Sequence, residues 1–168
     1  MNIVLCGMMG CGKSTVGKCL SKRAGLVHVD TDELIVERYG NIADIFAQYG
    51  EEHFRTLETQ TVRELSGQDG LVISTGGGVA MRAENVSLLK EKGKIVFLRA
   101  KVETLEARLQ ADTQRPLLKS ATPLRERLEE LLQIRAPIYE DVADLAVDVD
   151  GQTPEEIAAK IIKGIGQV

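Results

Sequence analysis

Gly7-Met8-Met9-Gly10-Cys11-Gly12-Lys13-Ser14-Thr15 stands between a short apolar run, Asn2–Cys6, and a stretch from Lys13 to Ala24 in which apolar and polar residues recur at helical spacing. Gly7 to Ser14 fits G-x-x-x-x-G-K-[ST]. Its place after a strand and at the opening of a helix is the context that gives the pattern physical meaning. The glycines let the backbone turn so that successive N–H groups point inward at phosphate oxygens, and the helix start adds the positive end of its dipole. Lys13 is placed for the β- and γ-phosphates, and the Ser14 hydroxyl for Mg²⁺. A plain glycine turn would have no use for Lys-Ser at that point. The loop 7–15 is therefore expected to bind a nucleoside triphosphate with Mg²⁺, through Gly10, Cys11, Gly12, Lys13, Ser14 and Thr15.

The rest of the chain alternates in the same way. Leu26–Val29, Leu71–Ser74, Ile95–Leu98 and Leu145–Val149 read as further strands. Helices are expected over Asp32–Tyr39, Ile42–Tyr49, Glu51–Ser66, Ala83–Lys92, Val102–Gln110 and Leu124–Arg135. Pro137 disfavours helix at Ala136 and sets the expected end of the last of these. Thr153-Pro-Glu-Glu156 carries the signals of another helix start: a Thr cap, Pro in the first position, Glu three residues after the cap. Residues 111–123 are polar, hold two prolines and show no periodicity, so they are expected to form a loop long enough to act as a lid. This order predicts an α/β domain of the P-loop NTPase kind: one domain over 1–168, a five-stranded, mostly parallel sheet covered by helices on both faces, and a lid loop. Ligands of such sheets bind outside the carboxyl ends of the strands. Segments 7–15, 30–32 and 75–78 should then meet at one crevice.

Composition narrows the function classes. A chain of 168 residues, 43% hydrophobic, is long enough for one sizeable core. Its net charge of −4 argues against a nucleic-acid partner, and means that cations for an anionic ligand must be gathered locally. The cysteines are Cys6, Cys11 and Cys19. Their odd count and clustering argue for reduced thiols in the cytoplasm. No signal-peptide pattern opens the chain, and no apolar run approaches the ~18 residues of a membrane span, so no membrane association is expected. Within the loop, Cys11 reads as a small filler more readily than as a redox thiol. His28 and His53 lack metal-ligand spacing and read as structural.

Asp30-Thr-Asp32 falls where the second strand should end. Two carboxylates spaced i, i+2 can face one site. One can hold Mg²⁺, directly or through water, and the other can orient an acceptor hydroxyl and take its proton. Helix capping explains the same residues equally well at this point. Arg55, Arg115 and Arg135 each lie among apolar neighbours and outside any charge run. Arg115, in the expected lid, is suited to neutralise phosphate charge on closure. Gly76-Gly77-Gly78, after the third strand, allows close backbone approach.

Taken together, Gly7–Thr15, Asp30-Thr-Asp32, Ile42-Ala-Asp-Ile-Phe46, Glu52-His-Phe-Arg55, Thr75-Gly-Gly-Gly78, Arg115-Pro-Leu-Leu118 and Arg135-Ala-Pro-Ile-Tyr139 resemble the shikimate kinases, members of the nucleoside-monophosphate-kinase-like group, in order and over most of the chain. The stretch Arg38–Ile42 is one residue shorter than is common there. The resemblance implies ATP-dependent transfer of a phosphoryl group to a ring hydroxyl of shikimate, giving shikimate 3-phosphate for aromatic amino acid synthesis. It implies a substrate-binding helical region at about 31–66, with Asp32 on the substrate hydroxyls and Arg55 and Arg135 on the carboxylate. Gly76, Gly77 and Gly78 would contact substrate through the backbone, and Glu58 would orient Arg55. Arg115 would touch the ATP phosphates, and Arg108 and the loop around Gln152 would border the adenine. The catalytic set is then Lys13, Asp32 and Arg115, and the metal set Ser14 and Asp30. The expected partners are ATP and the small-molecule substrate, with the chain acting as a monomer. A related kinase for another small acid, such as gluconate, and a nucleotide-binding switch that performs no transfer are the competing readings. A GTPase switch would need Asn-Lys-x-Asp, which the sequence lacks.

Overall fold

Asn2–Cys6 forms β1, and all five of its residues are buried. Successive side chains of a strand point to opposite faces, so a strand buried along its whole length must be covered on both. In the computed structural model, which describes residues 1–111 and 122–166, β1 lies at the centre of a five-stranded sheet. Its neighbours are β2 (Val27–Asp30), β3 (Leu71–Ser74), β4 (Gly93–Arg99) and β5 (Leu145–Asp148), in the order β2-β3-β1-β4-β5. Every ladder is parallel; Val4, for example, sits opposite Ile73 on one side and Ile95 on the other. The expected "mostly parallel" sheet is thus wholly parallel among the described residues.

The connections are α1 (Lys13–Ala24), α2 (Thr31–Tyr39), α3 (Ile42–Tyr49), α4 (Glu51–Ser66), a short 3₁₀ turn (Val79–Met81), α5 (Ala83–Lys92), α6 (Val102–Gln110), α7 (Leu124–Val142) and α8 (Pro154–Ile165). Their limits follow local chemistry. Gly25, at φ 69°, ends α1 with its N–H on the Ser21 carbonyl. At α8, Thr153 and Glu156 cap each other's backbone and Pro154 takes the first turn. None of the helices among the described residues is long and apolar enough to cross a membrane.

Several elements depart from the sequence reading: β4 starts two residues earlier and ends one later, at Gly93 and Arg99, and β5 stops one residue sooner, at Asp148. β2 is shifted by one residue, so that Asp30 both ends the strand and caps α2. The helix expected to end near Arg135 runs through Pro137 to Val142. Proline there removes one i→i−4 bond, at a cost of ~3 kcal/mol. Tertiary anchors outweigh it: Leu128, Arg135 and Tyr139 share one helical face and are all buried.

Two cores result. The main one joins β1, β3 and β4 to Val16 and Leu20 of α1, Leu128 and Tyr139 of α7, and Ile157 and Ile161 of α8. A smaller one, made of Ile35, Ile45, Phe54 and Leu57, holds α2, α3 and α4 together. The chain moves outward from β1 to β2, returns to β3, and then crosses to β4 on the other side of β1. That reversal opens a crevice at the carboxyl ends of β1 and β3.

Candidate active site

The crevice has a volume of about 1160 Å³ and is lined by segments 9–15, 30–33 and 75–78, together with Arg55 and Arg135. The three segments expected to meet do meet. The volume exceeds the ~300–1,000 Å³ of an ordinary small-ligand pocket and leaves room for two ligands side by side.

One wall is the loop after β1. Gly7 and Gly12 have φ of 147° and 95°, a region that L side chains avoid. A Cβ at Gly7 would also lie 2.8 Å from the Leu98 carbonyl oxygen. Lys13 curls back over the loop, its Nζ donating to the carbonyls of Gly7 (2.8 Å) and Met8 (3.0 Å). The Ser14 hydroxyl donates to Asp30 Oδ2 at 2.5 Å. Cys11 is fully buried, its sulfur 3.8 Å from Lys13 Nζ within the loop, and its side chain does not line the crevice, which leaves its backbone to serve a ligand. Burial likewise pushes the Cys6 thiol up to about 12, and the three cysteines are free.

Asp30 answers both readings of the Asp-Thr-Asp segment. Its Oδ1 accepts from the backbone N–H groups of Asp32 (2.9 Å) and Glu33 (3.2 Å), capping α2, while Oδ2 holds Ser14. Among the described residues no group of three or more His, Cys, Asp or Glu gathers at one point. A hydroxyl and a carboxylate oxygen side by side at the crevice nevertheless fit Mg²⁺, which takes few protein ligands and keeps its waters or substrate oxygens.

The opposite wall rests on the three glycines. None of them has positive φ; their requirement is space. A Cβ at Gly76 would meet Asp32 Oδ1 at 2.7 Å and Glu58 Oε2 at 2.9 Å, one at Gly77 would meet Arg135 Nη1 at 2.9 Å, and one at Gly78 would collide with Arg55 Nη1. Each glycine is thus the floor beneath a different charged side chain. Thr31, buried between the two aspartates, accepts the Gly76 N–H at 3.0 Å and ties this floor to α2.

The charges are held unequally. Arg55 Nη1 donates to Glu58 at 2.7 Å and Nη2 to Glu51 at 3.2 Å, and its guanidinium lies 5.3 Å from the Phe54 ring centre. Glu58 is only 1% exposed. Burial pushes its carboxyl up to about 6; Arg55 opposes that rise and Asp32 adds to it. Arg135 is 8% exposed, and among the described residues no carboxylate pairs with it. A buried cation at a crevice wall with no carboxylate in ion-pair contact among the described residues, and only the more distant charge of Glu58 acting on it, is suited to an anion from outside the chain. Phe46 and Phe54, with ring centres 5.0 Å apart, close the apolar side.

Arg108 lies beside the first wall, its Nη1 3.4 Å from the Gly10 carbonyl oxygen. Gln152 stands beyond β5, with Nε2 on the Asp148 carbonyl at 2.7 Å and Oε1 buried without a partner, and does not line the crevice. Arg115 lies outside the described residues, as does most of the expected lid at 111–123. His28 bonds Ser74 at 2.9 Å and His53 stacks on Tyr49, both away from the crevice lining. Sequence reading assigned no part to Thr31 or to Tyr139, whose hydroxyl donates to the Gly77 carbonyl at 2.5 Å. The available signal for Tyr139 was its spacing, four residues after Arg135 and hence on the same helical face.

The family model for shikimate kinase matches residues 9–166. A shikimate kinase of Thermodesulfovibrio yellowstonii is 47% identical over 163 residues, covering 96% of this chain and 93% of the relative. Among solved structures, a shikimate kinase from Acinetobacter baumannii in complex with shikimate superposes with a TM-score of 0.93 at 38% identity, over 98% of this chain and 92% of that one. A gluconokinase from Sinorhizobium meliloti reaches a TM-score of 0.70 at 21% identity, over 98% and 90% of the two chains, which is a likeness of fold.

Proposed function

The chain belongs to the shikimate kinase family and phosphorylates shikimate with ATP, and we propose that its two crevice walls divide that work into a donor side and an acceptor side. The observation that carries the division is Arg135, a buried cation with no carboxylate partner among the described residues, set on Gly77 one glycine away from Arg55 on Gly78. Two guanidinium forks converging on one strip of backbone suit a carboxylate. Asp32, on Gly76, stands where the hydroxyls of the same small molecule would lie.

On the donor side, Lys13 exchanges the carbonyls of Gly7 and Met8 for phosphate oxygens. Ser14 and Asp30 are the oxygens that would hold Mg²⁺, which when bound neutralises charge on the phosphates. Arg108 borders the nucleotide end of the same loop. On the acceptor side, a ring hydroxyl oriented by Asp32 forms its bond to the γ-phosphorus as the bond from that phosphorus to the β,γ-bridging oxygen breaks. ADP leaves, and the hydroxyl proton passes to the Asp32 carboxylate. Phe46 and Phe54 exclude water beside the ring. Every residue invoked comes from one chain, so the reading needs no second subunit.

The test compares shikimate and gluconate as acceptors with ATP and Mg²⁺, for the native chain and for Arg135→Ala. Turnover of shikimate well above gluconate is expected. Truncating one member of a buried charge pair costs ~2–5 kcal/mol, so Arg135→Ala is expected to raise the KM for shikimate by about 100-fold while leaving that for ATP in place. An unchanged shikimate KM would remove Arg135 from the acceptor side.

A further inference from the structure

Tyr139 is fully buried, and its ring packs on Phe97 with centres 5.1 Å apart. A phenol in such a place needs a partner for its hydroxyl, and this one reaches out of the core to the glycine floor. Its O–H donates to the Gly77 carbonyl at 2.5 Å. The positive charge of Arg135, one helical turn earlier on α7, lies close enough to act on the phenol oxygen. The two side chains flank the same glycine: a Cβ on Gly77 would lie 2.9 Å from Arg135 Nη1 and 3.6 Å from the Tyr139 oxygen. Burial holds the phenol well above its ordinary pKa, so it remains a donor at any working pH.

The backbone around that carbonyl is unevenly satisfied. The Gly76 N–H goes to Thr31 Oγ1 and the Val79 N–H to the Gly76 carbonyl. The N–H groups of Gly77 and Gly78, which line the crevice, find no acceptor among the described residues. Unpaired N–H groups at a cavity wall are donors waiting for a ligand. The peptide joining Gly77 and Gly78 is trans, so its C=O and N–H point in opposite directions. With the C=O turned into the core toward Tyr139, the N–H is turned away from the core, on the side of the crevice. A glycine peptide without side chains has little else to fix its plane.

We propose that Tyr139 is a positioning residue of the acceptor wall: its hydroxyl locks the Gly77–Gly78 peptide and the Arg135 guanidinium into one fixed relation, so that the acceptor meets a preset pair of donors. The inference rests on the shikimate reading above. It also accounts for α7 continuing through Pro137, because the helix must carry Arg135 and Tyr139 on one face.

Tyr139→Phe keeps the ring on Phe97 and removes only the hydroxyl. Native turnover of shikimate is measured first, and its absence would sink the reading of function rather than this inference. Given native turnover, Tyr139→Phe is expected to raise the shikimate KM about tenfold, with the ATP KM unchanged and kcat within about twofold. In an Arg135→Ala background the same change is expected to add little, because the two residues act as a unit. An unchanged shikimate KM, equal damage to both substrates, or full additivity with Arg135→Ala would overturn the proposal. A second measurement needs no variant: in the native chain, saturating shikimate is expected to shift the Gly78 amide proton in the NMR spectrum. No shift there would overturn it even if Tyr139→Phe proved too unstable to assay.

Discussion

The donor wall and the acceptor wall of the crevice are built by opposite means. The donor wall is one continuous loop, 7–15, that works mainly through backbone and is stiffened from within, since Lys13 is bonded to the carbonyls of Gly7 and Met8. The acceptor wall is gathered from four separate segments: Asp30–Asp32, Arg55–Glu58, Gly76–Gly78 and Arg135–Tyr139. It works through charged side chains laid on glycines. The first wall handles a ligand that many proteins share, and a short local motif is enough for that. In the proposed division the second would select the acceptor, and its side chains come together only once distant parts of the chain have packed. Asp30 is the hinge of the comparison, since one of its oxygens serves Ser14 and the other starts the helix that carries Asp32.

Three changes test the contrast. Lys13→Ala strikes the donor wall at the cation bonded within its loop. By comparison with the removal of a single charge-stabilising donor elsewhere, it is expected to lower kcat by ~10²–10³-fold or more, with the shikimate KM little changed. A large rise in that KM instead would show that the walls are not separable. Gly78→Ala strikes the acceptor wall without touching a functional group. Its Cβ would displace the Arg55 guanidinium, which already occupies that space. Losing one charge-assisted bond costs ~1.5–3 kcal/mol, so a shikimate KM raised at least tenfold is expected, with the ATP KM and the melting temperature nearly native. Wild-type kinetics for this variant would mean that Arg55 has no fixed seat.

The smallest effect concerns Glu58, whose carboxyl is raised by burial from an ordinary 4.5 to about 6. The folded chain holds this proton more tightly than the unfolded one between those values. The group's contribution to stability is therefore greatest below about pH 4.5 and falls by about 2 kcal/mol as pH rises through about 6. Measured by denaturant unfolding across that range, the stability of the native chain relative to Glu58→Gln is expected to fall by that amount. A difference that stays flat with pH would show that Glu58 is ionised throughout.

Legibility in the sequence followed the same division. The loop 7–15, its flanking strand and helix, and the meeting of three strand ends were readable because each depends on spacing within a few residues. Arg55, Arg135 and the glycine run were visible as residues, and a family likeness suggested their tasks, but nothing local says which glycine lies under which charge. The glycines were read as room for a ligand; in the structure they are first of all room for Asp32, Arg135 and Arg55. Pro137 misled for a physical reason. The local rule weighs one lost backbone bond and is blind to Tyr139, whose burial and bond to Gly77 hold the helix together from outside. Thr31 was overlooked because a buried hydroxyl between two aspartates reads as part of a cap until its acceptor role toward Gly76 is seen.

The separation of the two hydrophobic cores has a consequence for how the molecule opens. The sheet, with the donor loop attached, belongs to a core that also takes in Val62 and Leu65 at the end of α4, whereas α2, α3 and the first half of α4 close on Ile35, Ile45, Phe54 and Leu57. A unit with so few buried apolar neighbours sits low on the scale of local unfolding free energies and exchanges its amides sooner than the sheet. Asp32, Arg55 and Glu58 all ride on that unit, so a molecule bridging them to Arg135 would tie these helices to the cooperative unit of the sheet. The acceptor is in this sense the last piece of the second core.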